Sequence, residues 1–257
     1  MDLKTRLRKR KTVFGSWTST GNEDVVESFL QSKFDYLGID LEHSTISLEK
    51  AKQIILLCEK YKTACLPRVP NIDEGLIKRL LDAGASGIIV PNIESENDVK
   101  RLVQIVKYPP VGKRGYGISR AQAYGKKFTK YTKTWNRKSI IVIQIESFKA
   151  VNNFQKIISN NKEIDAVMIG PYDLSGSLGV PGKLNDKRVL RASQYVLDVC
   201  KKNKLSIGIH DINPTKKSVL KLIKLGYNFI TLSSDIFLLL DWTNKISEVL
   251  TSLRKRK

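Results

Sequence analysis

From residue 12 onward the chain repeats one pattern: a short unbroken apolar run, then a longer segment with apolar residues at helical spacing. The runs fall at 13–17, 36–39, 64–69, 87–90, 140–145, 166–169, 206–209 and 229–232, and the amphipathic segments at 25–31, 48–61, 74–83, 96–106, 148–158, 186–202, 214–225 and 236–253. A run that is apolar throughout suits a strand buried on both faces, and parallel neighbours need a crossover, which the intervening helix supplies. In the third helical segment Leu76, Ile77, Leu80 and Leu81 form a one-sided stripe, and Gly84 follows as a C-cap. Eight such units in a chain of 257 residues predict an α/β protein, a single-domain (β/α)8 TIM barrel over 12–253. That fold typically takes roughly 250 residues. Neither a Walker loop nor a GxGxxG turn interrupts the pattern, which argues against a nucleotide-binding open sheet.

Composition narrows the class. The 41% hydrophobic content is enough for a core. The three cysteines, Cys58, Cys65 and Cys200, form no CxxC pair, so reduced thiols are expected rather than a disulfide framework. The basic N-terminus is not followed by the apolar stretch of a secretory signal, and no run is long enough to span a bilayer. A soluble, cytoplasmic protein is the expectation. The formal charge of +20 would ordinarily suggest a polyanion or nucleic-acid partner. Its location argues otherwise: +18 of it lies in a basic N-terminal tail (1–11), a basic C-terminal tail (254–257) and the Gly/Lys/Tyr-rich segment 113–138. The body is nearly neutral. Segment 113–138 reads as a long loop of functional interest.

In a barrel of this type, reactive groups come from the C-terminal ends of the strands. Those ends supply Asp40, Glu42 and His43 after the second strand, Arg68 at the third, Gln144 and Glu146 at the fifth, Asp173 after the sixth and His210 at the seventh. Glu146 and Asp173, on adjacent strands, are hard oxygen donors suited to Mg2+ or Mn2+. Arg68, inside an apolar run, calls for an anionic partner such as a carboxylate or phosphate ligand. His43 lies three residues after Asp40, a spacing that lets the carboxylate orient the ring as a general base. The Gly- and Pro-rich stretch 169–182 offers a backbone cradle for an anionic head group.

Several strings, in order along 12–250, resemble the HpcH/HpaI family of class II, metal-dependent pyruvate aldolases. They are IDLEHS (39–44), LPRVP (66–70), IKRLLDAGASGIIVPNIES (77–95), KYPPVGKRGYG (107–117), IQIES (143–147) and IGPYDLSGSLGVPG (169–182). The resemblance implies a (β/α)8 enzyme that cleaves 4-hydroxy-2-oxo acids or 2-keto-3-deoxy sugar acids to pyruvate and an aldehyde. It implies a divalent metal, Mg2+ or Mn2+ with Co2+ as a third option, held by Glu146 and Asp173. It further implies Arg68 on the pyruvate carbonyl, His43 with Asp40 as acid/base, and Asp82 as a carboxylate needed for activity. Gln144, Gly170 and the N–H groups of Tyr172 and Asp173 would line the pyruvate end. A homo-oligomer, hexameric in relatives, is implied as well.

The chain departs from the family pattern at Tyr172, at Ser-Thr-Ile after His43, and at His210, which replaces an apolar residue facing the aldehyde half. Segment 113–138 belongs to a region near the active-site rim and a subunit contact in relatives, so it and His210 together predict an acidic or phosphorylated acceptor. Two further enzyme readings share the metal and Arg68: a citramalyl- or malyl-CoA lyase, and a phosphoenolpyruvate-processing enzyme. A polyanion-binding protein using the basic tails is the alternative from another class.

Overall fold

A computed structural model describes residues 1–159 and 161–254. Eight strands form a closed barrel in sequence order: β1 (Val13–Thr18), β2 (Tyr36–Asp40), β3 (Ala64–Arg68), β4 (Gly87–Val90), β5 (Ile140–Ile145), β6 (Ala166–Ile169), β7 (Ser206–Asp211) and β8 (Phe229–Leu232). Every pairing is parallel, and β8 closes on β1 with Val13 opposite Phe229. All eight predicted strands are present, each within two residues of its expected bounds. The helices are α1 (Leu3–Arg8), α2 (Glu23–Gln31), α3 (Leu48–Lys60), α4 (Glu74–Ala83), α5 (Glu96–Val106), α6 (Phe128–Lys138), α7 (Phe148–Ser159), α8 (Pro171–Ser177), α9 (Lys187–Lys202), α10 (Lys216–Leu225) and α11 (Asp235–Arg254).

The apolar residues divide into two bodies, one on each side of the barrel wall. The larger lies between wall and helices and contains Ile54, Leu80, Val103, Phe154 and Val196. The smaller fills the lumen, where Trp17, Tyr36, Leu66, Ile89, Val142, Met168 and Phe229 pack together. Glycines on adjacent strands make room for the lumen aromatics. A Cβ on Gly15 would overlap the Tyr36 ring, one on Gly38 would come 2.6 Å from Trp17, and one on Gly208 2.5 Å from Phe229. Large rings opposite missing side chains fill the lumen to interior density.

The N-terminal segment is no loose tail. Asp2 caps α1 by accepting from Thr5 N at 2.8 Å, and Leu3 and Leu7 enter the lumen cluster as a plug across the floor, the N-terminal end of the barrel. Four of its six basic residues are tied down. Lys4 Nζ reaches Ser139 O at 2.6 Å and Asp165 at 3.2 Å, Arg8 Nε donates to Asp165 at 2.6 Å, and Arg6 pairs with Asp35. Arg10 donates to the carbonyls of Leu205 and Gly226. Two leucines four residues apart gave this helix a buried face, and the floor carboxylates took up its charge. The C-terminal tail is different: Arg254 ends α11, and residues 255–257 lie outside the described residues.

Segment 113–138 is also relocated. Helix α5 carries the chain from the mouth back to the floor, where β5 begins, so the whole connection between them lies at the floor. There Arg114 is sandwiched among Tyr108, Tyr131 and Trp135, with its Cζ 4.8, 5.9 and 4.6 Å from the ring centroids. Its Nη2 donates to Asp82 at 2.6 Å. The lysines expected to overhang the mouth stand at the opposite end of the barrel.

The wall is covered unevenly. Helix α10 buries no residue, and Phe14, Ile209, Val219, Leu222, Ile223 and Leu232 on this side are only partly covered. Helix α11 leaves the barrel, and every residue from 238 to 254 is exposed, with Leu239, Leu240, Trp242, Val249 and Leu253 all at least half open. Among the described residues no helix is long and apolar enough to cross a membrane.

Candidate active site

The mouth holds a cavity of about 580 Å3 whose lining includes Trp17, Asp40, His43, Arg68, Gln144, Gly170, Tyr172, Asp173, His210 and Phe237. Eight of the residues named from sequence therefore converge on one space. Glu146 sits beside it, 4% exposed. Asp82 is not brought there: it ends α4 on the floor side, in its ion pair with Arg114.

Asp40, the last residue of β2, accepts from the backbone N–H groups of Glu42 and His43, each at 3.1 Å. Its oxygens also take the fork of Arg68, Nε at 3.1 Å and Nη2 at 2.8 Å. Burial pushes the Asp40 carboxyl up, but Arg68 and the two N–H donors outweigh it and hold the group below the usual carboxylate range. The anionic partner that Arg68 demanded is thus internal. Glu42 adds a second, with Oε2 3.2 Å from Arg68 Nε, and the guanidinium lies 5.1 Å from the Trp17 ring. Nη1 is left with no hydrogen bond among the described residues.

The predicted pairing of Asp40 with the His43 ring is not formed, because the carboxylate is fully engaged by Arg68 and the turn. The ring stands at the rim, 64% exposed, with Nε2 3.8 Å from Glu42 Oε2. Glu42 received no role from sequence, although it stands in the same IDLEHS string.

Glu146 follows β5. Its Oε1 accepts from Asn92 N at 2.7 Å and its Oε2 from Gln144 Nε2 at 2.9 Å. Burial pushes its carboxyl up to about 7; the Asn92 N–H and Arg68 oppose this, while the charges of Glu42 and Asp173 add to it. Gly170 keeps the space open, since a Cβ there would come 2.5 Å from Glu146 Oε2. Pro171 then starts α8, whose first intrahelical bond runs from Leu174 N to Gly170 O at 3.0 Å. The N–H groups of Tyr172 and Asp173 precede that bond, as first-turn donors do.

These groups carry unmet demand for a cation. Glu42, Glu146 and Asp173 repel one another, and Gln144 Oε1 is buried without a hydrogen-bond partner. Hard oxygen donors of this kind fit a divalent ion such as Mg2+, which keeps positions open for water and substrate. The described residues form no closed cage of three His, Cys, Asp or Glu side chains.

The opposite wall was largely invisible in the sequence. Trp17 stacks on His210 at 5.9 Å and 26°, Phe237 meets the same ring edge-on at 6.0 Å, and Ser19, Thr20 and Ser234 bring hydroxyls. Asp235, buried at the start of α11, fixes the loop after β1 by accepting from Thr18 Oγ1 at 2.6 Å, Ser19 N at 2.8 Å and Thr20 N at 3.0 Å. Apart from His210 at the end of β7, the sequence signal for this wall was the apolar character of β1 and α11.

A sequence model of the HpcH/HpaI aldolase/citrate lyase family matches residues 13–241. The chain is 31% identical over 253 residues, 95% of each chain, to a hydroxypyruvate/pyruvate aldolase of Paraburkholderia phytofirmans. It is 29% identical over 238 residues, 92% of this chain and 88% of the relative, to a 2-keto-3-deoxy-L-rhamnonate aldolase of Salmonella typhi. The crystal structure of a HpcH/HpaI aldolase/citrate lyase family protein from Burkholderia cenocepacia superposes with a TM-score of 0.90 at 29% identity, covering 97% of this chain and 98% of that one.

Proposed function

The chain belongs to the HpcH/HpaI aldolase/citrate lyase family, and from that premise we propose that it is a metal-dependent aldolase cleaving a 4-hydroxy-2-oxo acid or 2-keto-3-deoxy sugar acid reversibly to pyruvate and an aldehyde. The observation that carries this reading is the juxtaposition of Arg68, one donor still free, with a set of carboxylates left short of a cation. Glu146 and Asp173 would hold the metal, with Gln144 Oε1 close by. When bound, it supplies a Lewis acid to the carboxylate and keto oxygens of the 2-oxo acid.

The chain's own residues account for the rest. Removing the proton of the C4 hydroxyl lets the C3–C4 electron pair move onto C3, giving the aldehyde carbonyl and the enolate of pyruvate. His43, exposed at the rim and beside Glu42, is the acceptor of that proton. Arg68 Nη1 meets the enolate oxygen as charge develops, and because Asp40 and Glu42 already fix the guanidinium, little reorganisation is needed. The Tyr172 and Asp173 N–H groups receive the pyruvate carboxylate. A proton returned to C3 completes the reaction. Asp82 has no part in these steps within one chain.

A pyruvate-release assay over a panel of 4-hydroxy-2-oxo acids tests the reading. Turnover abolished by EDTA and restored by Mg2+, Mn2+ or Co2+ is expected. EDTA-resistant turnover trapped by borohydride would mean Schiff-base chemistry and end the proposal.

The uneven wall supports a homo-oligomer. One chain carries both an uncovered strip beside β8 and β1 and an apolar helix, α11, with nothing to cover. A second copy's α11 laid over that strip satisfies both by exchange of an identical element. Sedimentation should show a dimer or a multiple of it, the hexamer among these, and Leu239→Glu/Leu250→Glu should shift it to monomer. A monomeric wild-type chain would refute the exchange.

A further inference from the structure

We propose that His210 reads a hydroxyl group on the aldehyde half, so that the acceptor is a neutral hydroxyaldehyde rather than an anionic one. The inference rests on the aldolase reading above and specifies its substrate. His210 lies near the end of β7 on the wall formed with Trp17 and Phe237, and lines the cavity. Its Nε2 is 2.9 Å from the carbonyl oxygen of Ser233. A carbonyl only accepts, so Nε2 carries the hydrogen. That leaves Nδ1 as the polar atom the ring can offer the cavity, and it has no partner among the described residues.

The ring's surroundings decide what Nδ1 is. Burial lowers the imidazole pKa below its ordinary value, and Arg68 pushes the same way; the Ser233 carbonyl, Asp211 and Asp40 oppose them without prevailing. Asp211 itself accepts from Ser218 Oγ at 2.6 Å. The ring is therefore neutral at neutral pH, and Nδ1 is a lone-pair acceptor that selects an O–H donor.

An anionic acceptor finds no counterpart here. Among the described residues Arg68 is the only Lys or Arg on the cavity lining, and Asp40 and Glu42 already neutralise it. The lysines of segment 113–138, expected at the mouth, are at the floor. Three hydroxyl-bearing residues, Ser19, Thr20 and Ser234, complete a wall suited to a hydroxylated chain. The expectation of an acidic or phosphorylated acceptor is accordingly replaced.

The test compares aldol addition of pyruvate to glycolaldehyde, acetaldehyde and glyoxylate. A site built to bond a hydroxyl discriminates against the analogue lacking it, so wild type should favour glycolaldehyde over acetaldehyde by at least about tenfold in kcat/KM. His210→Leu should bring that ratio close to one, and His210→Gln, whose amide oxygen also accepts, should retain most of it. In 15N NMR of the two-histidine chain, the His210 ring should appear as the Nε2–H tautomer, with its Nδ1 resonance shifting on addition of glycolaldehyde. Equal wild-type rates on glycolaldehyde and acetaldehyde, a preference for glyoxylate, or an unchanged ratio in His210→Leu would each overturn the inference while leaving the aldolase reading standing. Absence of any pyruvate-dependent addition would remove both.

Discussion

The two ends of the barrel are both rich in charge, yet they use it in opposite ways. At the floor most of the buried and half-buried ionic groups are paired, Lys4 and Arg8 on Asp165, Arg6 on Asp35, Lys107 on Glu163, Arg114 on Asp82 and Arg120 on Glu59, although Arg114 Nε and Ser139 Oγ are buried there without a hydrogen bond. At the mouth the matching stops short. Arg68 keeps a free Nη1, Gln144 Oε1 is buried and unbonded, and Glu146 is held near neutrality by burial and like charges. Saturated charge fastens secondary structure, whereas unsaturated charge in a cavity is a valence awaiting a ligand. The difference separates scaffold from site without reference to which end a residue was expected to occupy.

Substitutions at the two ends should therefore fail differently. The largest effect is expected at the mouth. Arg68→Lys keeps the charge but loses the fork, so kcat should fall roughly 10²- to 10³-fold, with far-ultraviolet circular dichroism unchanged. A loss confined to KM would instead make Arg68 a ground-state binder. At the floor, Asp165→Ala strips Lys4, Arg8 and the Ile141 N–H of their shared acceptor. Urea denaturation should show a cost of about 3 kcal/mol, and kcat of the folded fraction should stay near wild type. A drop in kcat comparable to that of Arg68→Lys would erase the distinction between the ends. The smallest effect is expected for Lys126→Glu/Lys127→Glu, which alters charge at the end of the barrel opposite the mouth. Acceptor preference between glycolaldehyde and glyoxylate should stay within about twofold, and a selective gain or loss with glyoxylate would return the segment to the site.

The strands were legible because an unbroken apolar run has few other uses in a chain with amphipathic helices between the runs. Three helices were not. In α1, six basic residues among the first eleven masked Leu3 and Leu7. In α6, lysine density hid Phe128, Tyr131 and Trp135, which stand at helical spacing; Tyr131 and Trp135 stack on each other and against Arg114, and Phe128 meets Tyr116. In α8, the glycine- and proline-rich string read as a loop, although Pro171 occupies a first helical turn. At the mouth, the residues that converge were readable from their positions at strand ends, but their partners were not. Proximity in sequence joined Asp40 to His43, whereas strand register placed Asp40 directly opposite Arg68. Asp82 was assigned by resemblance alone, and the run of α4 carries it to the other end.

The plug at the floor also sets an order of events during synthesis. Lys4 is bonded to Asp165, 161 residues further on, Leu7 O accepts from Ser206, 199 residues away, and Arg10 reaches Gly226, at a separation of 216. At elongation rates of about 5–20 residues per second, the first helix must wait roughly ten seconds or more for the last of these partners to emerge. A segment that leaves the ribosome before all of these partners is thus among the last to be seated, and the floor of the barrel stays open until it docks.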